Sequence, residues 1–205
     1  MTKLYLIRHG ETMWNMEKRT QGIRNIQLSE LGKLQAKYLA KGLEKENIDV
    51  IYSSDLSRAY ETAEIVGKYI DKPVQPLPEI REMNFGEWEG LTIDEIKGKY
   101  QDIYSQWSTT PHIAKIPGAE TLIQVQERAM KGVNNIIKEN PGKNIVMVSH
   151  GTAIKTIIFR LLDIDLSYYR KIRQDNTAIN IIDFKEEYNV LVRLNDTCHL
   201  RKLHE

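Results

Sequence analysis

Two histidines far apart in the chain sit in the same local context. Leu4-Tyr5-Leu6-Ile7 leads into Arg8-His9-Gly10-Glu11-Thr12, and Asn144-Ile145-Val146-Met147-Val148-Ser149 leads into His150-Gly151. Each apolar run reads as a strand buried on both faces, and the glycine turns the chain at its end. In a parallel sheet such ends share one edge, so the two imidazoles can meet where the crossover loops leave a crevice. Two arginines join them. Arg8 precedes His9, and Arg58 falls in the first turn of a helix expected to start at Ser54 or Asp55. The helix dipole disfavours a cation there by roughly a few tenths of a kcal/mol, so an anion is the usual reason for an arginine in that place.

A phosphomonoester dianion matches this set. Arg8 and Arg58 offer planar forks to phosphoryl oxygens, a protonated His150 adds a donor, and neutral His9 can attack phosphorus in line. The alkoxide that leaves needs a proton. Glu82, flanked by apolar Met83 and Phe85, is the candidate acid, because burial raises a carboxyl pKa; on spacing alone Glu79, Glu87 and Glu89 compete with it. Water then attacks phospho-His9, with the same carboxylate as base. A rival class is a metal-dependent hydrolase with His9, His150 and Asp55 or Glu82 as ligands; two arginines in one pocket oppose it by repelling a divalent cation. A phosphate-binding module without turnover is the non-enzymatic alternative.

Around these residues the chain alternates strands and helices. Helical spacing runs from the cap Ser29 to about Glu46 through Leu31, Leu34, Tyr38, Leu39 and Leu43, and again through Leu56, Ala59, Ala63, Val66 and Ile70. A third helix opens at Ala119-Glu120-Thr121 and runs to about Glu139, with Leu122, Val125, Ala129, Val133, Ile136 and Ile137 inward; a fourth spans 151–163. Strands are expected at 49–54, at the proline-bounded edge 73–77, and at 178–184 and 190–195. Residues 13–28 read as a long functional loop, 92–107 as two short helices and 109–118 as loop. The fold expected is a three-layer α/β/α sandwich, mostly parallel with an antiparallel edge, in one domain over 1–205 with a lid at about 91–118. Tyr100, Tyr104, Trp107 and His112 are candidates for that lid, each with packing as the plainer role.

Composition narrows the partners. With 29 Lys+Arg against 28 Asp+Glu over 205 residues and a net charge of +1, there is no basic footprint for nucleic acid. A small phosphomonoester remains as the partner, and a homodimer is admitted but not assigned. The first strand begins at once without a basic-then-apolar leader, and no apolar run approaches the ~20 residues of a membrane span, so a cytoplasmic protein is expected. The single cysteine, Cys198, reads as a small buried thiol, Glu11 as a local cap or pair, Arg81 as a pocket cation or surface ion pair, and His199 and His204 as solvated.

Arg8-His9-Gly10-Glu11-Thr12 resembles the signature of the histidine phosphatase superfamily, in its phosphoglycerate-mutase-like branch, and the resemblance runs along nearly the whole chain. Asn15 stands where that branch has a phosphate-contacting Asn. Gln21-Gly22 with Leu28-Ser29-Glu30-Leu31-Gly32, the run Ser53 to Ala59, the run Arg81 to Gly90, and Ser149-His150-Gly151 resemble its later blocks. The resemblance implies a phosphohistidine at His9, a phosphate pocket of Arg8, Asn15, Gln21, Gly22, Arg58 and His150, Glu82 as proton donor, and no metal or other cofactor. Phe85-Gly86-Glu87-Trp88-Glu89-Gly90 looks most like the broad-specificity and α-ribazole phosphatases, which implies net hydrolysis. The alternative within the family is a cofactor-dependent phosphoglycerate mutase. Such mutases carry a longer, more basic insertion than the about 28 residues from Leu91 to Gly118, whose cations are Lys97, Lys99 and Lys115.

Overall fold

The computed structural model describes residues 1–203. Its strands are β1 (Thr2–Arg8), β2 (Val50–Ser53), β3 (Val74–Pro76), β4 (Asn144–Ser149), β5 (Ile179–Phe184) and β6 (Asn189–Asp196). Its helices are α1 (Met13–Met16), α2 (Glu30–Leu43), α3 (Ser57–Ile70), α4 (Ile93–Lys99), α5 (Gln101–Thr109), α6 (Leu122–Glu139) and α7 (Gly151–Leu161), with short 3-10 turns between. The six strands form one sheet in the order β3-β2-β4-β1-β5-β6. β3, β2, β4 and β1 are parallel, and β5 and β6 add an antiparallel edge, as the alternation of elements implied.

The central strand explains the layering. Its side chains alternate between two cores, with Leu4 and Leu6 packed with α6 and α7, and Tyr5 and Ile7 packed with α2 and α3. Both faces are therefore covered by helices. β1 and β4 pair with Arg8 opposite Ser149, and the His9 amide donates to the Ser149 carbonyl at 3.0 Å. That register brings the two His-Gly turns to the same end of the sheet.

Four local readings are corrected. On α2 the inward face is Gly32, Ala36, Leu39, Ala40 and Leu43, while Leu31 and Leu34 are 45% and 40% exposed. The cause is Gly32, where an added Cβ would lie 2.0 Å from the Glu11 carbonyl oxygen; this close backbone approach turns the small-residue face inward. The helix carrying Arg58 starts at Ser57 rather than at 54 or 55, because Ser54 hydrogen-bonds Val148 in continuation of the sheet; Arg58 still lies in the first turn. Cys198 is exposed, its amide bonded to Asp196, and His199 is not solvated but partly buried, 3.1 Å from Thr177 Oγ1. His204 lies outside the described residues.

Candidate active site

The edge where β1, β2 and β4 end opens into a cavity of about 520 Å³. Arg8, His9, Asn15, Gln21, Gly22, Arg58 and Glu82 all line it. His150 is fully buried beside them, its ring centroid 5.1 Å from that of His9. The sequence assigns these eight residues to five separate blocks, and folding gathers all of them.

His9 is held as a nucleophile. Its Nδ1 lies 2.7 Å from the Gly10 carbonyl oxygen, which can only accept, so Nδ1 carries the proton and Nε2 keeps a lone pair. Burial, then the Arg58 and Arg8 cations, push its pKa well below the usual 6.5, while the Gly10 carbonyl opposes them. The ring is neutral at pH 7. Arg58 Nε–H rests 3.3 Å from that Nε2, and its terminal nitrogens donate to the carbonyls of Arg24 and Gly22 at 2.7 Å each. This fully buried arginine therefore also pins the loop that carries Gln21 and Gly22. Burial lowers its pKa to about 10, which leaves it a cation.

Arg8 donates from one terminal nitrogen to the Gln174 carbonyl at 2.7 Å, while its buried Nε has no partner among the described residues. Asn15 closes a capping box with Thr12 at the start of α1, and its Oδ1 accepts from the Thr12 amide and from Asn176. That leaves the Asn15 amide nitrogen to a ligand. Asn176 also donates to the His9 carbonyl at 3.0 Å. The segment 164–177, which holds Gln174 and Asn176, carries no periodic pattern and escaped the sequence reading. Its polar anchors Gln174 and Asn180, buried and mutually hydrogen-bonded, are the signal that could have found it.

His150 corrects one expectation. A protonated ring was expected, yet burial and the Arg58 cation push its pKa well below 6.5, so it is neutral in the free protein. Ser54 Oγ accepts from the Leu56 amide and lies 2.8 Å from His150 Nε2. The other ring nitrogen, Nδ1, is buried with no hydrogen-bond partner among the described residues.

Glu82 reaches over the N-terminus of α7. Its Oε1 accepts from the amides of Met83 at 2.9 Å and Ala153 at 3.3 Å, and its Oε2 from Thr152 at 3.3 Å. The competing glutamates are engaged elsewhere. Glu87 accepts from Tyr100, and Glu89 holds the amides of Ile23 and Phe85 and pairs with Arg24. Glu79 lies against Gly132 on α6. Arg81 forms a bidentate ion pair with Asp55, and Glu11 accepts from Ser29, both the plainer of their two readings. Among the described residues no cluster of three or more His, Cys, Asp or Glu side chains comes together as a metal site. Tyr104 and Trp107 from α5 line the cavity with Phe85, Trp88 and Tyr169, whereas Tyr100 and His112 do not.

The two buried neutral rings make stability depend on pH. Unfolded, each takes a proton near pH 6.5; folded, it does not, so below that pH the unfolded state binds more protons and stability rises with pH. The contribution is complete above pH 6.5 and falls by about 1.4 kcal/mol per pH unit per ring on acidification. The urea midpoint is expected to drop between pH 7 and 5.5, and His150→Gln to flatten the drop. A midpoint that stays constant contradicts the buried neutral pair.

The chain matches the sequence profile of the histidine phosphatase superfamily, branch 1, over residues 4–197. It is 37% identical to phosphoserine phosphatase 1 of Hydrogenobacter thermophilus over 200 residues, 98% of this chain and 95% of the relative. Among solved structures, Bacillus stearothermophilus YhfR superposes with a TM-score of 0.94 at 33% identity, covering 98% of this chain and 100% of that one. A phosphoserine phosphatase from Entamoeba histolytica, solved with 3-phosphoglyceric acid, gives 0.87 at 37% identity, covering 98% and 100%. The fold of these neighbours is the α/β sandwich described above. Among the described residues no helix is long and apolar enough to cross a membrane. Similarity of this length, reached separately through residues and through backbone, places the chain in branch 1 of the histidine phosphatase superfamily, as a phosphomonoester hydrolase.

Proposed function

We propose that the chain hydrolyses small phosphorylated hydroxy acids, phosphoserine among them, through a phosphohistidine on His9. The observation that carries the reading is the pairing of a neutral, lone-pair-bearing His9 Nε2 with two unpartnered buried nitrogens, Arg8 Nε and His150 Nδ1, at one sheet edge. In the reaction the phosphoryl oxygens take the donors of Arg8, Asn15, Arg58 and His150, and Arg58 Nε–H moves from the His9 lone pair to an oxygen. Nε2 then attacks phosphorus, the P–O ester bond breaks, and Glu82 gives its proton to the departing alkoxide. Positive charge growing on the ring is offset by the Gly10 carbonyl at Nδ1. In the second half a water oxygen attacks phosphorus, its proton passes to Glu82, and the P–N bond breaks to return neutral His9.

The relatives whose names include phosphoserine support the substrate class, and so does a cavity lined by both aromatic side chains and cations. The domain is read as one unit over 1–205, with α4 and α5 of the 91–118 segment as the aromatic wall. Incubation with phosphoserine and with 3-phosphoglycerate, with and without 2,3-bisphosphoglycerate, tests hydrolysis against isomerisation. Free phosphate in stoichiometric yield without 2-phosphoglycerate, unaffected by EDTA, is expected. Isomer as the main product would make the chain a mutase.

A further inference from the structure

The cavity wall is unevenly charged. Among the described residues Glu82 is its one carboxylate, against the cations of Arg8, Arg19, Arg58, Lys155, Arg170 and Arg173. Arg8 and Arg58 face the proposed phosphate site. Arg19 is paired with Glu17 and Glu95, and Arg173 with Asp175. Among the described residues Lys155 and Arg170 have no carboxylate partner within 4.0 Å, although both border the same space.

Their placement follows from α7. Gly151 opens that helix, with its Cα side facing Arg8 Nε and Glu82 Oε2, and Lys155 lies one turn further on. Four residues advance about 6 Å along the axis, so Gly151 and Lys155 border the same cavity at successive turns. Lys155 is held rather than free, its Nζ 4.3 Å from the centroid of the Tyr169 ring and 3.4 Å from the Tyr169 carbonyl oxygen. Tyr169 is itself buried and shares a hydrogen bond with Thr152 at 3.0 Å. Two of the three ammonium hydrogens remain for a ligand. Arg170 follows Tyr169 in sequence; burial, then the Arg170 cation, lowers the Lys155 pKa to about 8, with the Glu82 carboxylate opposing them. Two cations on one cavity wall with no carboxylate within 4.0 Å among the described residues favour an incoming anion.

We propose that Lys155 and Arg170 form a second anion subsite that binds the carboxylate of the substrate and makes the enzyme selective for phosphorylated acids over phosphate esters of neutral alcohols. The proposal rests on the phosphatase reading above and adds the residues that choose the alcohol part. Its test is the ratio of kcat/KM for 3-phosphoglycerate to kcat/KM for phenyl phosphate, measured in the wild type, Lys155→Met, Arg170→Gln and Lys155→Arg. A charge-assisted hydrogen bond is worth about 1.5–3 kcal/mol, so each of the first two is expected to lower the ratio by roughly 10-fold or more, chiefly through KM. Lys155→Arg, which keeps the charge, is expected to restore most of it. Losses that fall equally on both esters, or a ratio unchanged in both variants, overturn the subsite while leaving the phosphatase intact. A wild type that releases phosphate from neither ester overturns the reading beneath it.

Discussion

Replacing His9 by alanine is expected to lower phosphomonoester turnover by about 10⁴-fold or more, because it removes the attacking atom itself. No neighbouring group can take over. Ser54 Oγ is committed to His150 and to the Leu56 amide, and the His150 nitrogen facing it is occupied by that same hydroxyl. The fold does not depend on the ring. At this position the backbone supplies the structure, with the His9 amide donating to Ser149 and its carbonyl accepting from Thr177 and Asn176. A variant with native circular dichroism and no turnover is the expected result; activity within tenfold of the wild type contradicts the assignment.

Glu82→Gln is the second large effect, and its pattern matters more than its size. A positioned general acid typically contributes about 10²–10⁴-fold, and that contribution is needed only when the leaving group is a poor one. Turnover of alkyl phosphates such as phosphoserine is therefore expected to fall by about 10²-fold or more. Hydrolysis of p-nitrophenyl phosphate, whose phenolate departs unprotonated, is expected to fall by less than about tenfold. The glutamine can still accept through its one oxygen from the amides of Met83, Thr152 or Ala153, so the loss reads the missing proton rather than a lost anchor. Equal losses on the two esters would point to a different acid.

The parts of the site that were legible in the sequence share a physical cause. An apolar run ending in His-Gly specifies both a buried strand and the place where it stops, so His9 and His150 could be put on one edge before any coordinate was known. Arg58 was visible because its position opposes the helix dipole, and it remains in the first turn although the helix begins later than expected. What escaped is set by pairings that periodicity cannot express. The inward face of α2 is chosen by Gly32 meeting the backbone of Glu11, a contact 21 positions away in sequence for which leucines carry no signal. The partner of His150 Nε2 is Ser54, which follows another strand's end. Lys155 belongs to none of the motifs, and only the fold sets it over Tyr169 and beside the catalytic cavity. Of the four lid aromatics, Tyr104 and Trp107 enter the cavity wall because α5 presents them to it; Tyr100, capping the junction of α4 and α5, turns to Glu87.

Everything chemical here depends on a phosphoryl group passing through one nitrogen. Rapid mixing of the enzyme with a ³²P-labelled phosphomonoester, quenched in alkali and mapped by peptide, measures that passage directly. The expected result is label on the peptide containing His9, stable to alkali and labile to acid, formed and lost at rates that match turnover and absent from His9→Ala. Label on any other residue, or turnover without a phosphoenzyme in the wild type under conditions that slow the second step, would contradict it.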